Sequence, residues 1–403
     1  MQQIMEGIRL VEVADWGFVP SAATVLADWG ADVIKIEHPR RGDPIRGLIT
    51  SGMIPGASGR NFFVEQLGRN KRSVGLDLNG EVGRNVLCRL LEKADIFLTN
   101  FLPDARRRLR IDVEDLRTVN PRLIYAKGHG QGQRGPDASR GGYDGVSFWA
   151  RGGIADRLTP PGQPHVMQRP AFGDFIGGMF IAGGIAGALF HRARTGEALE
   201  VDVSLLGTAT WVMSPDIVAA MMYGFDLPQM GMGSTPNALV GNYRCGDGRH
   251  LVLMMLQEIR FWPIFCKAVE RADLLADARF NPNEVRHQHT AELVAELRAM
   301  FETKPRADWA QLLNASECIW APVQTPSEVS NDPQVVANRY VVPVERPGEE
   351  PVRVASSPVQ FGGGFVEACR PAAEVGAHTE EVLLEIGYTW DDIAGLKEAG
   401  AIV

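Results

Sequence analysis

The stretch IRLVEVADWGFVPSAATVLADWGADVIKIE, residues 8–37, decides the fold. Ile8 to Ala14 reads as a strand and Ser21 to Trp29 as a helix. Ala31 to Glu37 is a second, β-branched strand bounded by Gly30 and Pro39. Strand, helix and strand in that order make a βαβ unit. The alternation continues. Ser73 to Leu78 reads as a strand, Val82 to Lys93 as an amphipathic helix and Ile96 to Asn100 as a buried strand. Asp104 to Leu109 is a further helix and Leu123 to Lys127 a further strand. The class is therefore α/β, with a parallel sheet covered by helices. Ligands of such sheets bind beyond the carboxyl ends of the strands. The loops after Val13, Glu37 and Thr99 are where a site is expected.

Beyond Asp216 the texture changes. Asn242 to Met255 reads as a hairpin turning at Gly246-Asp-Gly, followed by helices from Phe261 to about Leu275 and from Thr290 to Phe301. This predicts residues 1–224 as the first part of a large domain and 225–325 as a smaller α+β domain. The Pro-rich stretch from Val342 to Pro358 then leads, within 326–403, back to the large domain and to helices at Thr379–Ile386 and Trp390–Ala399.

The 403 residues are 45% hydrophobic and 22% charged, a globular composition with ample core. A net charge of -8 argues against general nucleic-acid binding but leaves room for a local basic patch. The five cysteines are scattered without a CxxC pair, which suits reduced thiols in a cytoplasmic protein and neither zinc nor redox duty. The first residues lack the pattern of a signal peptide. The longest uncharged run, Phe175 to Phe190, has 16 residues, short of the roughly 20 of a membrane span. Its Gly and Ala content predicts a packed internal helix and no membrane partner.

Asp174 stands before that run, in Arg169-Pro-Ala-Phe-Gly-Asp-Phe-Ile-Gly-Gly. The plain reading is a helix cap. The sharper one is a carboxylate nucleophile, since glycine-rich backbone and no metal-ligand pattern surround it. Gly130-Gln-Gly-Gln-Arg-Gly135 matches a dinucleotide fingerprint, yet loop residues rather than a helix follow it. His287 and His289 read as solvated surface residues rather than as metal ligands. Three basic runs flank strand ends: Arg40-Arg41 with Arg46, Lys71-Arg72, and Arg106-Arg107-Arg108. Such a collar in an acidic protein suits a polyphosphate, coenzyme A or a nucleotide.

Taken in order, these segments resemble the class III CoA-transferase family, which includes formyl-CoA and carnitine CoA-transferases and also α-methylacyl-CoA racemases. The similarity is carried by Ala27–Glu37 with Gly42-Asp43 and Arg46, by Lys71-Arg72-Ser73 through Leu78, and by Ala94-Asp95 through Asn100-Phe101 and Pro103. It continues with Gly130-Gln-Gly-Gln, with Gly173-Asp174 and Gly177-Gly178, and with Gly376-Ala-His-Thr-Glu-Glu-Val-Leu383. The resemblance implies a Rossmann-like large domain whose parallel sheet is built from both chain ends, an inserted smaller domain, and two subunits interlocked as rings. It implies Asp174 as the nucleophile and Arg40, Arg41, Lys71, Arg72, Asn100, Phe101 and Arg108 as contacts of coenzyme A. Trp16, Gly17, Phe18, Tyr143, Gly177 and Gly178 would line the substrate pocket. No permanently bound cofactor is expected; coenzyme A and acyl-CoA are substrates, with a carboxylic acid as partner.

The chemistry so implied is CoA transfer between acids through an aspartyl-CoA thioester. A carboxylate of ordinary pKa, about 3.9, is ionised at pH 7 and needs no base. Oxyanion donors are expected near Gly177, or between Gly231 and Asn237. Racemases of this scaffold pair the aspartate with the histidine of a G-H-D motif; here Gly142-Tyr143-Asp144 replaces it, which removes the second acid/base group and favours transfer. A catalytically silent CoA-binding protein is the third reading, disfavoured by the intact Gly-Asp-x-x-Gly-Gly. His129 occupies a loop position that is usually aromatic. Gly17 stands where formyl-CoA transferases carry a glutamine for small acids, so a larger, more apolar acyl group is expected.

Overall fold

The computed structural model describes residues 3–52, 60–228, 236–346, 348–366 and 369–403. The chain divides into two compact units. One comprises Met1–Asp156, His165–Leu227 and Pro333–Val403; the other comprises Arg157–Pro164 and Pro228–Asp332.

The first unit is a layered α/β structure. Strands β1 (Arg9–Val13), β2 (Asp32–Glu37), β3 (Arg72–Gly75), β4 (Ile96–Thr99), β5 (Ile124–His129) and β6 (Glu200–Ser204) form one sheet in the order β3-β2-β1-β4-β5-β6. Every pairing is parallel. That is the Rossmann order, in which the strand sequence reverses beside β1 and opens a crevice between β1 and β4. The connecting helices are α1 (Phe18–Asp28), α2 (Phe62–Gly68), α3 (Glu81–Leu91), α4 (Pro103–Leu109), α5 (Val113–Arg117), α6 (Ile154–Leu158), α7 (Phe172–Thr195), α8 (Leu205–Val212) and α9 (Ser214–Tyr223). The period-2 pattern of the strands sorts them into two cores. Leu10, Val33, Ile96, Leu98 and Ile124 face α1 and α7, whereas Val11, Ile34, Val74, Phe97 and Tyr125 face α3 and the chain's C-terminal helices.

The second unit carries β7 (Val240–Arg244), β8 (His250–Met254), α10 (Glu258–Ala268), α11 (Ala272–Ala276), α12 (Asn283–Gln288), α13 (Thr290–Phe301), α14 (Arg306–Asn314), β9 (Trp320–Pro322) and α15 (Pro326–Val329). The hairpin is as expected, with β9 added antiparallel to β8. The helix expected from Phe261 to Leu275 is two, because Glu270 takes a left-handed φ of 60° between them. The remaining elements belong to the first unit: α16 (Pro333–Ala337), the hairpin β10 (Val341–Val344) with β11 (Val352–Ala355), α17 (Thr379–Glu385) and α18 (Trp390–Glu398). The sheet is not built from both chain ends. All six strands precede residue 205, and the C-terminal segment adds α17 and α18 to one face and a single antiparallel bridge, Leu76 to Ile402.

α7 governs the geometry of the site. Among the described helices it is long and apolar enough to cross a membrane. Here its buried stripe, Gly173, Gly177, Gly178, Ile181, Ala182, Ile185 and Ala188, lies in the core that also holds α1. A Cβ on Gly177 would stand 2.4 Å from the Phe18 ring, and one on Gly178 only 1.9 Å from Ser21 Oγ and 3.1 Å from the Ala22 backbone nitrogen. The two helices meet backbone to backbone, which only glycine permits. Gly178→Val is expected to destabilise the protein by about 1–3 kcal/mol or more through overpacking. Gly183→Ala on the same helix, with no atom within 4 Å of its new Cβ, is expected to be neutral or stabilising by up to about 1 kcal/mol. Equal losses in denaturant unfolding would contradict this account of α7.

Candidate active site

Two adjoining cavities run along the carboxyl ends of the strands. One, of ≈ 450 Å³, is bordered by Ile36, Arg41, Leu76, Leu109 and Arg108. The other, of ≈ 410 Å³, is bordered by Trp16, Phe18, His129, Tyr143, Asp174 and Leu205. Asp15, Phe101 and Arg108 line both and so mark the passage between them. The passage lies at the β1/β4 crevice. There the Asn100 side chain continues the ladder past the strand ends: Asp15 N donates to Asn100 Oδ1 (3.1 Å) and Asn100 Nδ2 to Asp15 O (2.7 Å).

Asp174 is the third residue of α7. A Cβ on Gly17 would lie 2.4 Å from Asp174 Oδ2, so the carboxylate rests directly on the Gly17 backbone. Ser21 Oγ lies 2.7 Å from the Phe18 carbonyl and 3.0 Å from that of Asp174, fixing the α7 backbone at this residue. Asp144 caps the helix by accepting from Gly173 N at 3.0 Å. Trp16 (φ 69°) and Ala171 (φ 74°) hold left-handed backbone conformations on either side of the carboxylate, a strain that non-glycine residues sustain where surrounding structure enforces it. Trp16 is held by Asp43 Oδ1, which accepts from its backbone N–H at 3.1 Å.

A helix N-terminus ordinarily stabilises a negative charge. Here burial, and secondarily the nearby Asp144 carboxylate, push Asp174 up to about 7. This corrects the expectation of a nucleophile with an ordinary pKa. The sequence shows the aspartate but not how much water is removed from it.

A buried charge network underlies the passage. Lys35 Nζ reaches Glu12 Oε1 (2.8 Å) and Asp43 Oδ2 (2.9 Å), and Lys71 Nζ reaches Glu12 Oε2 (2.7 Å) and the Pro20 carbonyl (2.8 Å). Glu37 takes two bonds from Arg46 (2.7 and 2.8 Å) and one from Ser73 Oγ (2.7 Å). Burial would raise Glu37, but Arg46 holds it at about 2. Glu12, Glu37 and Asp43 thus balance Lys35, Lys71 and Arg46. Asp15 has no cation left over, and burial, with Asp43 next, pushes it up to about 7. Asp15 and Asp144 escaped sequence reasoning as site residues. Asp144 stood in the quoted Gly142-Tyr143-Asp144; Asp15 had only its place just after the first strand.

The structure sorts the remaining expected residues. Arg41 and Arg108 line the larger cavity, and neither makes an ion pair among the described residues. Arg40 is exposed and does not border it. Lys71 and Arg72 are not brought to the cleft: Lys71 is buried in the network above, and Arg72 stands at the opposite, amino-terminal edge of the sheet. There it pairs with Asp32 (2.6 Å), Glu385 (2.6 Å) and Glu381 (3.0 Å). The reason is strand polarity, since Lys71 precedes β3 and Arg72 opens it, while ligands gather beyond its carboxyl end. Asn100 spends its amide on Asp15; Phe101 lines both cavities. Trp16, Phe18 and Tyr143 line the smaller one, where the Tyr143 ring meets Trp16 edge-on at 5.7 Å. Gly177 and Gly178 do not: they are buried in the α1 contact, and past the first turn their N–H groups belong to the helix. Of the second expected oxyanion source, residues 231–235 lie outside the described residues. His129 lines the smaller cavity. His287 and His289 hydrogen-bond Glu258 and Glu292.

A sequence model of CoA-transferase family III matches residues 5–379. The chain is similar to (R)-2-hydroxy-4-methylpentanoate CoA-transferase of Clostridioides difficile, 30% identical over 399 residues and 99% of each chain. It is similar to cinnamoyl-CoA:phenyllactate CoA-transferase of Clostridium sporogenes, 31% identical over 98% of this chain and 96% of the other. A solved CAIB/BAIF family protein from Brucella suis superposes with a TM-score of 0.83 at 26% identity, covering 96% of this chain and all of that one (100%).

The raised Asp174 pKa carries a sign for stability. The carboxyl binds its proton more tightly folded than unfolded, so it costs nothing below its ordinary value and its full penalty above about 7. Asp174→Asn is expected to raise the melting temperature by a few degrees at pH 8 and to leave it unchanged at pH 3.5; a gain of equal size at both would contradict the assignment.

Proposed function

Because this chain belongs to CoA-transferase family III and is an acyl-CoA:carboxylate CoA-transferase, we propose that Asp174 carries the transferred coenzyme A as a covalent aspartyl thioester. The ionised carboxylate attacks the acyl-CoA carbonyl and expels the CoA thiolate, leaving a mixed anhydride on Asp174. The thiolate attacks the aspartyl carbonyl of that anhydride, which forms the thioester and releases the donor acid. An acceptor carboxylate then attacks the thioester carbonyl and expels the thiolate, giving a second mixed anhydride; the thiolate attacks the acceptor's acyl carbon, which forms the new acyl-CoA and releases the Asp174 carboxylate. The observation that carries this reading is the position of the half-buried Asp174 carboxylate in one cavity, with the guanidinium of Arg108 at the passage out of it and that of Arg41 in the adjoining cavity, neither in an ion pair among the described residues. Arg41 and Arg108 are assigned to the phosphates of coenzyme A. The pantetheine arm is assigned to the passage past Asp15, whose carboxyl is pushed up to about 7 by burial and, when protonated, offers a hydrogen-bond donor without repelling the phosphates.

A carboxylate is a poor nucleophile, so rate must come from positioning. Gly17, Ser21 and the Asp144 cap supply that. Trp16, Phe18 and Leu205 suit an apolar or aromatic acyl group better than a one- or two-carbon acid, in keeping with the acids named for the two relatives. The reading extends to a homodimer, supported by the exposed Trp211, Met221, Met222, Tyr223 and Phe225 on and just after α8 and α9. It extends to the cytoplasm, supported by five free cysteines.

Transfer is tested by mixing acyl-CoA donors with free C4–C9 acids and following CoA exchange, with borohydride reduction to capture the Asp174 thioester. Asp174→Ala is expected to abolish both signals. Exchange of the α-proton with deuterated water, without CoA transfer to any acid, would overturn the reading. Gly17→Ala is a finer probe. Its backbone (φ -100°, ψ -49°) accepts alanine, so the new methyl acts only by displacing Asp174. Activity is expected to fall about 10- to 100-fold with the melting temperature nearly unchanged.

A further inference from the structure

His129 ends β5 with its side chain almost fully buried, 7% exposed, in the wall of the cavity that holds Asp174. Its Nε2 lies 2.7 Å from Asp202 Oδ2. Asp202 sits on the neighbouring strand β6, whose register is fixed by the pairs Lys127 with Asp202 and His129 with Ser204. A carboxylate only accepts, so the proton of this bond belongs to Nε2. In the neutral ring Nδ1 is then a bare acceptor. No hydrogen bond to Nδ1 is formed among the described residues. The mechanism proposed above does not use it. The wall of this cavity carries the apolar Trp16, Phe18, Leu102 and Leu205 beside the polar Asn100, Tyr143 and Asp174, and His129 also borders a cavity on its other side lined by Arg106, Lys127 and Gln133. With Nδ1 turned to the cavity that holds Asp174, a plain hydrocarbon chain filling it would cover Nδ1 without pairing it, and a buried acceptor left unpaired is costly.

The geometry points to His129 as a specificity contact that selects acids bearing a hydroxyl on carbon 2 or 3, with Asp202 as the positioning residue that fixes its tautomer. The inference rests on the CoA-transfer reading and adds a substrate class to it. The substrate hydroxyl donates to Nδ1, while the aromatic side chains enclose the rest of the acyl group. A site built around such a bond rejects the analogue that lacks the hydroxyl far more strongly than an apolar pocket rejects a missing methylene.

The test compares kcat/KM for matched acceptors: 2-hydroxy-4-methylpentanoate against 4-methylpentanoate, and 3-hydroxybutanoate against butanoate. The full-length wild type is expected to favour the hydroxy acid of at least one pair by about 10- to 100-fold. His129→Phe is expected to remove that preference by lowering the hydroxy acid alone, mainly through KM, and Asp202→Asn to reduce it. Thermal melts report whether each variant folds. Absence of preference in the wild type, or an equal loss on both members of a pair in folded His129→Phe, would overturn the assignment. Failure of the wild type to move CoA to any acid, with no adduct on Asp174, would instead overturn the transfer reading and this inference with it.

Discussion

The approach of α7 to α1 without intervening side chains is the constraint on which the site depends. Gly177 and Gly178 leave no Cβ between the helices, so Phe18 and Ser21 press on the α7 backbone itself. This brings the first turn of α7 down onto the loop after β1, and Asp174 comes to rest on Gly17. The same closeness removes water from the carboxylate. The fold thus fixes the Asp174 carboxylate and raises its proton affinity by one packing event. Positioning and desolvation are not separate design features here.

A second constraint is charge balance at the carboxyl edge of the sheet. Charges inside a protein are retained only when paired and hydrogen-bonded. Glu12 bridges Lys35 and Lys71, and Glu37 grips Arg46 bidentately. With these cations spent internally, Arg41 and Arg108 line the cavity without an ion pair among the described residues, and Asp15 is left with a raised pKa in the passage. At the amino edge, Arg9, Asp32, Arg72 and Glu385 tie three strands to α17. The basic collar seen in the sequence is therefore two structures: a lining that faces ligand and an internal framework that does not.

Much of the fold was legible because burial leaves a periodic trace. The alternation of Leu10 and Val11, or Val33 and Ile34, between two cores is visible as β-branched runs, and the glycine spacing of α7 announces a close packing partner. The element limits moved by a few residues, as for α1, which begins at Phe18 rather than Ser21. The C-terminal segment was misread, since its apolar residues serve helices over the sheet and no parallel strand within it. Of the expected site residues, the structure brings Asp174, Arg41, Arg108, Phe101 and the aromatic side chains to the two cavities. Lys71, Arg72, Gly177 and Gly178 were displaced, because a residue's type does not tell which edge of a strand or which face of a helix it serves.

The sequence by itself determined the βαβ alternation, the family and the residue types available for chemistry, because these follow from local order along the chain. Only the tertiary structure decided which charges neutralise one another, which glycines are packing contacts, and that Asp174 titrates near 7 rather than 4. Those properties arise between residues far apart in sequence. Desolvation and ion pairing depend on what surrounds a group in space, as the pairing of His129 with Asp202 across 73 residues shows.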